Sequence, residues 1–401
     1  MNETPSANRV HVGFFGLRNA GKSSLVNAVT GQDLALVSEV KGTTTDPVYK
    51  AMELLPLGPV VIIDTPGIDD EGTLGELRVA RARRVLNKTD AAVLVTEAGA
   101  ALSPIEEELI GIFKAKNVPY IIARNKSDLV SEKGEDDVPA ADNVLPVSAK
   151  TGQNIYLLKE KIAAIAVHDE PRRLAADLLK PLDLVVLVIP IDKAAPKGRL
   201  ILPQRQVIRD ILDSGAIALA VRDTELKETL SRPGIKPALV ITDSQAFAQV
   251  SAETPQDVPL TSFSILFARQ KGWLDNAVQG VAALDNLREG DKILICEGCT
   301  HHRQCDDIGT VKLPRMIKNH AGVEPEFNFR SGGDFPDDLS PYKAVVHCGA
   351  CMLNDREMQY RSRCAADQGV PFTNYGITIA HIQGILQRSI AVFNRKQVCP
   401  R

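Results

Sequence analysis

The chain has 401 residues, too many for one compact domain, and its length points to two to four. With 44% hydrophobic and 24% charged residues it is not compositionally disordered, and 47 basic against 50 acidic residues leave no broad field for nucleic acid or an anionic membrane. The longest apolar runs, such as Leu184–Ile191, fall short of the roughly 18–20 residues of a membrane span, so no membrane association is expected. Met1–Arg9 is polar and lacks the apolar stretch of a secretory signal. All seven cysteines lie after residue 295, a distribution that fits a reducing cytoplasm and metal ligation better than a disulfide framework.

Between Val10 and about Val167, short β-rich runs alternate with helical stretches, which predicts a mostly parallel sheet covered by helices. The runs are Val10–Phe15, Tyr49–Leu54, Val60–Asp64, Ala91–Val95, Pro119–Ala123 and Asn143–Val147. Gly58-Pro59 reads as a turn, so the second and third runs are expected to pair antiparallel. Ile155–Ala166 has helical apolar spacing and closes a first domain over 8–170. The charged stretch from His168 to Arg173 reads as a linker.

A second domain, 178–265, offers strands at Leu184–Ile189, Ile217–Val221, Ala238–Ile241 and Leu260–Phe263, with helical segments such as Gln204–Leu212 between them. It carries no catalytic motif and reads as a packing or oligomerisation module. In the third, 268–401, Lys292–Cys296 and Lys343–His347 read as buried strands, each followed by a cysteine-bearing loop. Ile377–Asn394 reads as a terminal helix. The expected class is α/β: a P-loop domain followed by two further α/β domains.

Gly16-Leu-Arg-Asn-Ala-Gly21-Lys22-Ser23 matches G-x-x-x-x-G-K-[ST] between a predicted strand and a predicted helix. The glycines let successive backbone N–H groups curve around phosphate oxygens, and the helix N-terminus adds a favourable dipole. Lys22 can reach the β and γ phosphates, the Ser23 hydroxyl can ligate Mg2+, and Ser24 continues the phosphate-binding run. Asp64-Thr-Pro-Gly67 ends an apolar strand, so Asp64 can hold Mg2+ through water while the Gly67 amide meets the γ-phosphate. Asn125-Lys126-Ser127-Asp128 ends another, where the Asp128 carboxylate can accept guanine N1–H and N2–H together. Ser148-Ala149-Lys150 follows a further strand and would meet guanine O6 through backbone N–H. Gly42-Thr43-Thr44-Thr45-Asp46 falls where a loop should carry a Mg2+-sensing threonine. Five elements in this order define a GTP site.

These residues resemble the translation-factor-like GTPases, especially the TrmE/Era-like branch of tRNA-modification and ribosome-assembly GTPases. The resemblance implies that Thr44 is the switch threonine and that Asn19, within the phosphate loop, helps coordinate an activating K+. Ile68 stands where Ras-like enzymes have a water-orienting glutamine. Hydrolysis is therefore expected to be slow unless K+ or a partner completes the site; Asp69, Asp70 and Glu71 are weaker candidates for positioning water. The basic tract Arg81–Arg84 reads as a solvated helix face rather than a nucleic-acid footprint, and no nucleic-acid partner is expected.

In the last domain Cys299-Thr-His301 is followed, after 45 intervening residues, by His347-Cys348-Gly-Ala-Cys351. A C-x-x-C turn brings two thiolates to one metal, and Cys299 can complete a three-cysteine face. Three soft thiolates suit zinc or an iron–sulfur cluster, and the residues alone do not choose between them. The zinc alternative is a zinc-stabilised GTPase of RNA modification or ribosome assembly. Cys296 reads as core, Cys399 as part of a tail, Cys305 and Cys364 as small buried hydrophobes, and the sole tryptophan, Trp273, as a packing residue.

Together with the GTP-binding motifs, the C-x-H … H-C-x-x-C pattern resembles the FeFe-hydrogenase maturation GTPases over the whole chain: GTPase, dimerisation and cluster-binding domains. The resemblance implies a [4Fe–4S] cluster on Cys299, Cys348 and Cys351 in a homodimeric, cytoplasmic scaffold. That scaffold would deliver a diiron subcluster to apo FeFe-hydrogenase, beside two radical-SAM maturases. Three cysteines leave one iron with an exchangeable fourth position, for which His301, His347 and, at lower weight, Asp192 are candidates; the alternative role for either histidine is to orient the loop by hydrogen bonding.

Overall fold

The computed structural model describes residues 6–32, 47–67, 84–130, 142–166, 173–191, 200–298 and 307–394. The chain divides into two compact units, Met1–Glu170 and Pro171–Arg401.

In the first unit six strands, β1 (Val10–Phe15), β2 (Val48–Leu54), β3 (Gly58–Asp64), β4 (Ala91–Glu97), β5 (Tyr120–Asn125) and β6 (Val144–Pro146), form one sheet in the order β2-β3-β1-β4-β5-β6. All pairs are parallel except β2–β3. Near-continuous apolar runs such as Ala91–Val95 arise because both faces of the sheet are covered. Val12, Phe14, Val93 and Val95 pack one way, with Leu25, Val26 and Val29 of helix Lys22–Thr30 and Leu158 and Ile162 of helix Ile155–Ala166. Phe15, Ile63, Ala92 and Leu94 pack the other way, with Leu109 and Phe113 of helix Pro104–Ala115. The β2–β3 pair is antiparallel as expected, but Leu54 pairs with Gly58, so the turn is 55–57 and Gly58-Pro59 already belongs to β3.

The second unit carries two all-parallel sheets. β7 (Leu184–Val188), β8 (Ile217–Val221), β9 (Leu239–Thr242) and β10 (Leu260–Ser262) stand in the order β10-β9-β7-β8. β11 (Lys292–Glu297), β12 (Glu326–Ser331), β13 (Ala344–His347) and β14 (Phe372–Asn374) stand in the order β12-β11-β13-β14. One core joins them: Val186, Val188, Val240 and Leu260 from the first belong to the same buried cluster as Ile293, Leu294, Val345 and Val346 from the second. Trp273 is 1% exposed and stacks edge-on to Phe372 (5.2 Å) and His347 (6.3 Å).

Three features depart from the sequence reading. β12 was not expected, because its alternating Glu-Phe-Asn-Phe-Arg-Ser sits half-exposed at a sheet edge and lacks a continuous apolar run. β14 has only three residues. The expected terminal helix over Ile377–Asn394 is instead helix Tyr375–Ile382, a break, helix Leu386–Ile390 and a 3-10 turn over Ala391–Asn394. Gly384 makes the break: at φ +70° it takes a left-handed conformation that other residues adopt at a cost, and its N–H caps the His381 carbonyl at 2.9 Å.

Candidate functional site

Parallel strands of the first sheet deliver their nucleotide motifs at one edge, because ligands of such sheets sit beyond the strand C-termini. Gly16 follows β1 at φ +142°, and a Cβ there would stand 2.2 Å from the Val95 carbonyl oxygen of β4, so only glycine fits. Asn19 is an exposed loop residue at φ +63°, and Gly21 caps helix Lys22–Thr30 at φ +84°. Lys22 is buried, and its Nζ donates to the carbonyls of Gly16 (3.0 Å) and Leu17 (2.8 Å), which holds the ammonium across the loop where phosphate oxygens would lie. Ser24 is exposed on the first helical turn.

Ser23 Oγ donates to Asp64 Oδ2 at 2.9 Å, while Asp64 Oδ1 is buried without a hydrogen-bond partner. Burial pushes the Asp64 carboxyl up, against the opposing pull of the Ser23 hydroxyl and the Lys22 ammonium. A hydroxyl beside a carboxylate oxygen with spare accepting capacity is a donor set that fits Mg2+. Gly67 lies so close to the phosphate loop that a Cβ would meet Arg18 Cα at 2.9 Å, which brings its backbone to the loop.

The base-recognition loops are tied to the phosphate loop by one side chain. Asn125 Nδ2 donates to Ala20 O (3.0 Å), and its Oδ1 accepts from Ala149 N (3.1 Å). Ser148, fully buried, donates through Oγ to Asp128 Oδ1 at 2.6 Å and fixes that carboxylate. Lys126 adopts φ +64° and pairs with Glu97 at 3.2 Å, and Lys150 is exposed.

The cysteine corner is built at the ends of β11 and β13. Cys296 pairs with His347 across the two strands and is wholly buried, as expected for a core thiol; burial pushes it up to about 12. Cys348 follows, with its N–H donating to Cys296 O at 2.9 Å. Its Sγ accepts two backbone N–H groups, from Gly298 (3.1 Å) and Ala350 (3.3 Å). The second bond requires the left-handed conformation of Ala350, φ +56°, inside the C-x-x-C turn. Burial raises the Cys348 thiol, and the two N–H bonds oppose that shift. A sulfur receiving two N–H donors is set up to carry thiolate charge, which fits metal ligation. Gly298 immediately precedes Cys299 in sequence, so the described chain of that loop ends against the Cys348 sulfur. Cys351 is half-buried, and Cys364 sits apart beside Asp337 and Gln368.

His347 is fully buried. Arg361 Nη1 donates to its Nε2 at 3.0 Å, so its Nδ1 carries the proton and donates to Cys348 O at 2.9 Å. Burial, followed by the Arg361 charge, pulls its pKa down to about 3. Both nitrogens are hydrogen-bonded, so His347 holds the cysteine loop in the orienting role expected as the alternative to ligation. Arg361 is in turn gripped by Glu357 (Nε 2.8 Å, Nη2 2.7 Å) and by the Gly332 carbonyl (2.8 Å). Sequence reading missed this pair; its i,i+4 spacing was visible, its burial was not. It also missed Glu297, 4% exposed at the end of β11, whose Oε1 lies 3.4 Å from Tyr375 Oη. The expectations for Thr44, Ile68, Asp69, Asp70, Glu71, Arg81–Arg83, Asp192, Cys299, His301, Cys305 and Cys399 lie outside the described residues.

The first unit is thus a P-loop GTPase domain, and residues 11–126 match the family described as 50S ribosome-binding GTPase. Residues 174–272 match the hydrogen maturase F dimerization domain and 275–392 the hydrogen maturase F tetramerization domain. The chain belongs to the hydrogen maturase F family. Among curated relatives, GTPase Der of Wolinella succinogenes is 31% identical over 191 residues, covering 45% of this chain and 40% of the relative. The tRNA modification GTPase MnmE of Methylococcus capsulatus is 37% identical over 153 residues, covering 37% and 32%. The chain thus spans less than half the length of these relatives. A solved structure of Aquifex aeolicus Era bound to GDP·AlF4− is 20% identical with a TM-score of 0.36, covering 61% of this chain and 99% of that one. Among the described residues no helix is long and apolar enough to cross a membrane.

Proposed function

We propose that this chain is a GTP-hydrolysing scaffold of FeFe-hydrogenase maturation that holds a [4Fe–4S] cluster on Cys299, Cys348 and Cys351. In this reading it carries the diiron subcluster to apo-hydrogenase, in company with two radical-SAM maturases. The observation that carries the proposal is the Cys348 sulfur, which receives the N–H groups of Gly298 and Ala350 at the mouth of a C-x-x-C turn, in a chain of the hydrogen maturase F family. When bound, the cluster supplies an iron with an exchangeable coordination position. His347 fixes the Cys348 backbone, and Arg361 fixes the tautomer of His347. His301, His347 and, at lower weight, Asp192 are the candidates for the fourth position.

On the nucleotide side, Lys22 neutralises the β and γ phosphates, Ser23 and Asp64 hold Mg2+ with Thr44, the Gly67 amide contacts the γ-phosphate, and Asp128 reads guanine. Asn19 helps bind K+, and hydrolysis is slow without it, because Ile68 replaces a water-orienting glutamine. The nucleotide state gates partner docking. An oligomer fits the half-exposed apolar edge strand β8, where Ile217 is 48% exposed and backbone groups at the sheet edge are available for pairing with another copy. The test is maturation of apo-hydrogenase by Lys22→Ala and Cys348→Ala proteins. Both are expected to fail, and normal maturation by either would remove that half of the proposal.

A further inference from the structure

The residues matched to the tetramerization domain bring together three metal-ligating side chains that neither the GTP site nor the cysteine corner uses. Asp285 lies in the 3-10 turn Val281–Asn286, His320 in the last turn of helix Leu313–Ala321, and His381 in the last turn of helix Tyr375–Ile382. These three elements pack on one another. The Nε2 atoms of both histidines lie 2.7 Å from the same carboxylate oxygen, Asp285 Oδ1. One ligand atom from each residue falls within 4.8 Å of the other two, and among the described residues this is the one such group. The imidazole rings stand 5.6 Å apart at 66°. Tyr375, which faces Glu297 at the cysteine corner, begins the helix whose last turn holds His381, roughly 9 Å further along its axis.

Hydrogen bonds alone account for one carboxylate between two imidazoles, but two features go beyond them. Both rings aim the same nitrogen at one point, and side-chain exposures of 26%, 42% and 23% for His320, Asp285 and His381 leave one side open to water. Three protein ligands with an open position are the arrangement of an exchangeable zinc-type site. Both histidines also sit at helix C-termini, whose partial negative charge adds to that of Asp285 and favours a cation there.

We infer that Asp285, His320 and His381 form a binding site for a divalent first-row transition cation of the zinc class, separate from the cysteine corner, with its open position taken by water. An ion about 2.1 Å from each ligand in tetrahedral geometry needs them about 3.4 Å apart, so each 2.7 Å histidine–carboxylate contact opens by roughly 0.7 Å, a shift within reach of side chains at helix ends.

The probe is cobalt(II) added to the full-length chain carrying Cys299→Ser, Cys348→Ser and Cys351→Ser, which removes the thiolates proposed as cluster ligands. A visible ligand-field band without near-ultraviolet sulfur-to-cobalt charge transfer is expected, bleached by zinc. The band is lost when His320→Ala or His381→Ala is added, and weakened by the milder Asp285→Asn. Urea unfolding followed by Trp273 fluorescence shows that each variant folds. No band, or the same band in folded histidine variants, overturns the inference and leaves the cluster as a hydrogen-bonded brace.

Discussion

Replacing Arg361 with alanine removes a guanidinium that is wholly buried and holds three partners at once: Glu357, His347 Nε2 and the Gly332 carbonyl. Glu357 is itself only 3% exposed, so the variant strands a carboxylate with its charge uncompensated. Breaking a buried pair in this way costs about 3–5 kcal/mol. The orphaned Gly332 carbonyl and His347 nitrogen overlap with that cost rather than adding fully to it, so about 4 kcal/mol is expected for Arg361→Ala. Taking out both charges with Arg361→Met and Glu357→Leu removes the stranded carboxylate. The double variant should recover most of the loss, leaving about 1–2 kcal/mol from the two unpaired acceptors. The assay is urea unfolding followed by fluorescence of Trp273, the chain's one tryptophan, which packs 6.3 Å from the His347 ring and so reports the unit that contains the pair. A single variant within about 1 kcal/mol of the parent, or a double variant as weak as the single, would refute the reasoning.

Two further outcomes follow from the same geometry. Asp128→Asn exchanges an acceptor for a donor at the guanine edge, so GTP binding should weaken roughly 100-fold, about 3 kcal/mol, while xanthosine triphosphate binding improves. Unchanged GTP affinity, read by titration of a fluorescent analogue, would show that Asp128 does not contact the base. His347, held near 3, refuses a proton that the unfolded chain accepts below its ordinary value of 6.5. Its contribution to stability is therefore complete above pH 6.5 and lost as pH falls toward 3, by about 2 kcal/mol between pH 7 and pH 5. The Trp273 unfolding midpoint of the apo chain should fall over that range, and His347→Gln should fall less; equal slopes would exclude His347 as the cause.

Those nucleotide motifs that lie among the described residues were legible because each is local and sits at the end of a strand whose apolar run is itself legible. Val10–Phe15, Ile217–Val221 and the helix Ile155–Ala166 appear with the bounds read from the sequence. The C-x-x-C turn was legible for the same reason. What sequence could not supply is convergence. Arg361 lies 14 residues from His347, yet donates to its ring, and Asp285 meets His381 across 96 residues. No pattern along the chain marks such pairs, since tertiary packing alone makes them neighbours. Edge strand β12 escaped because half-exposed strands alternate instead of running apolar, and the terminal helix is shorter than expected because Gly384, at φ +70°, breaks it.

The account turns on what the three cysteines hold. Anaerobic reconstitution of the full chain with iron and sulfide, followed by EPR of the reduced protein, measures it directly. The account predicts the signal of a reduced cubane cluster in the parent chain and its loss in Cys348→Ala. A protein that takes up one zinc per chain and no iron under oxygen-free conditions would contradict it.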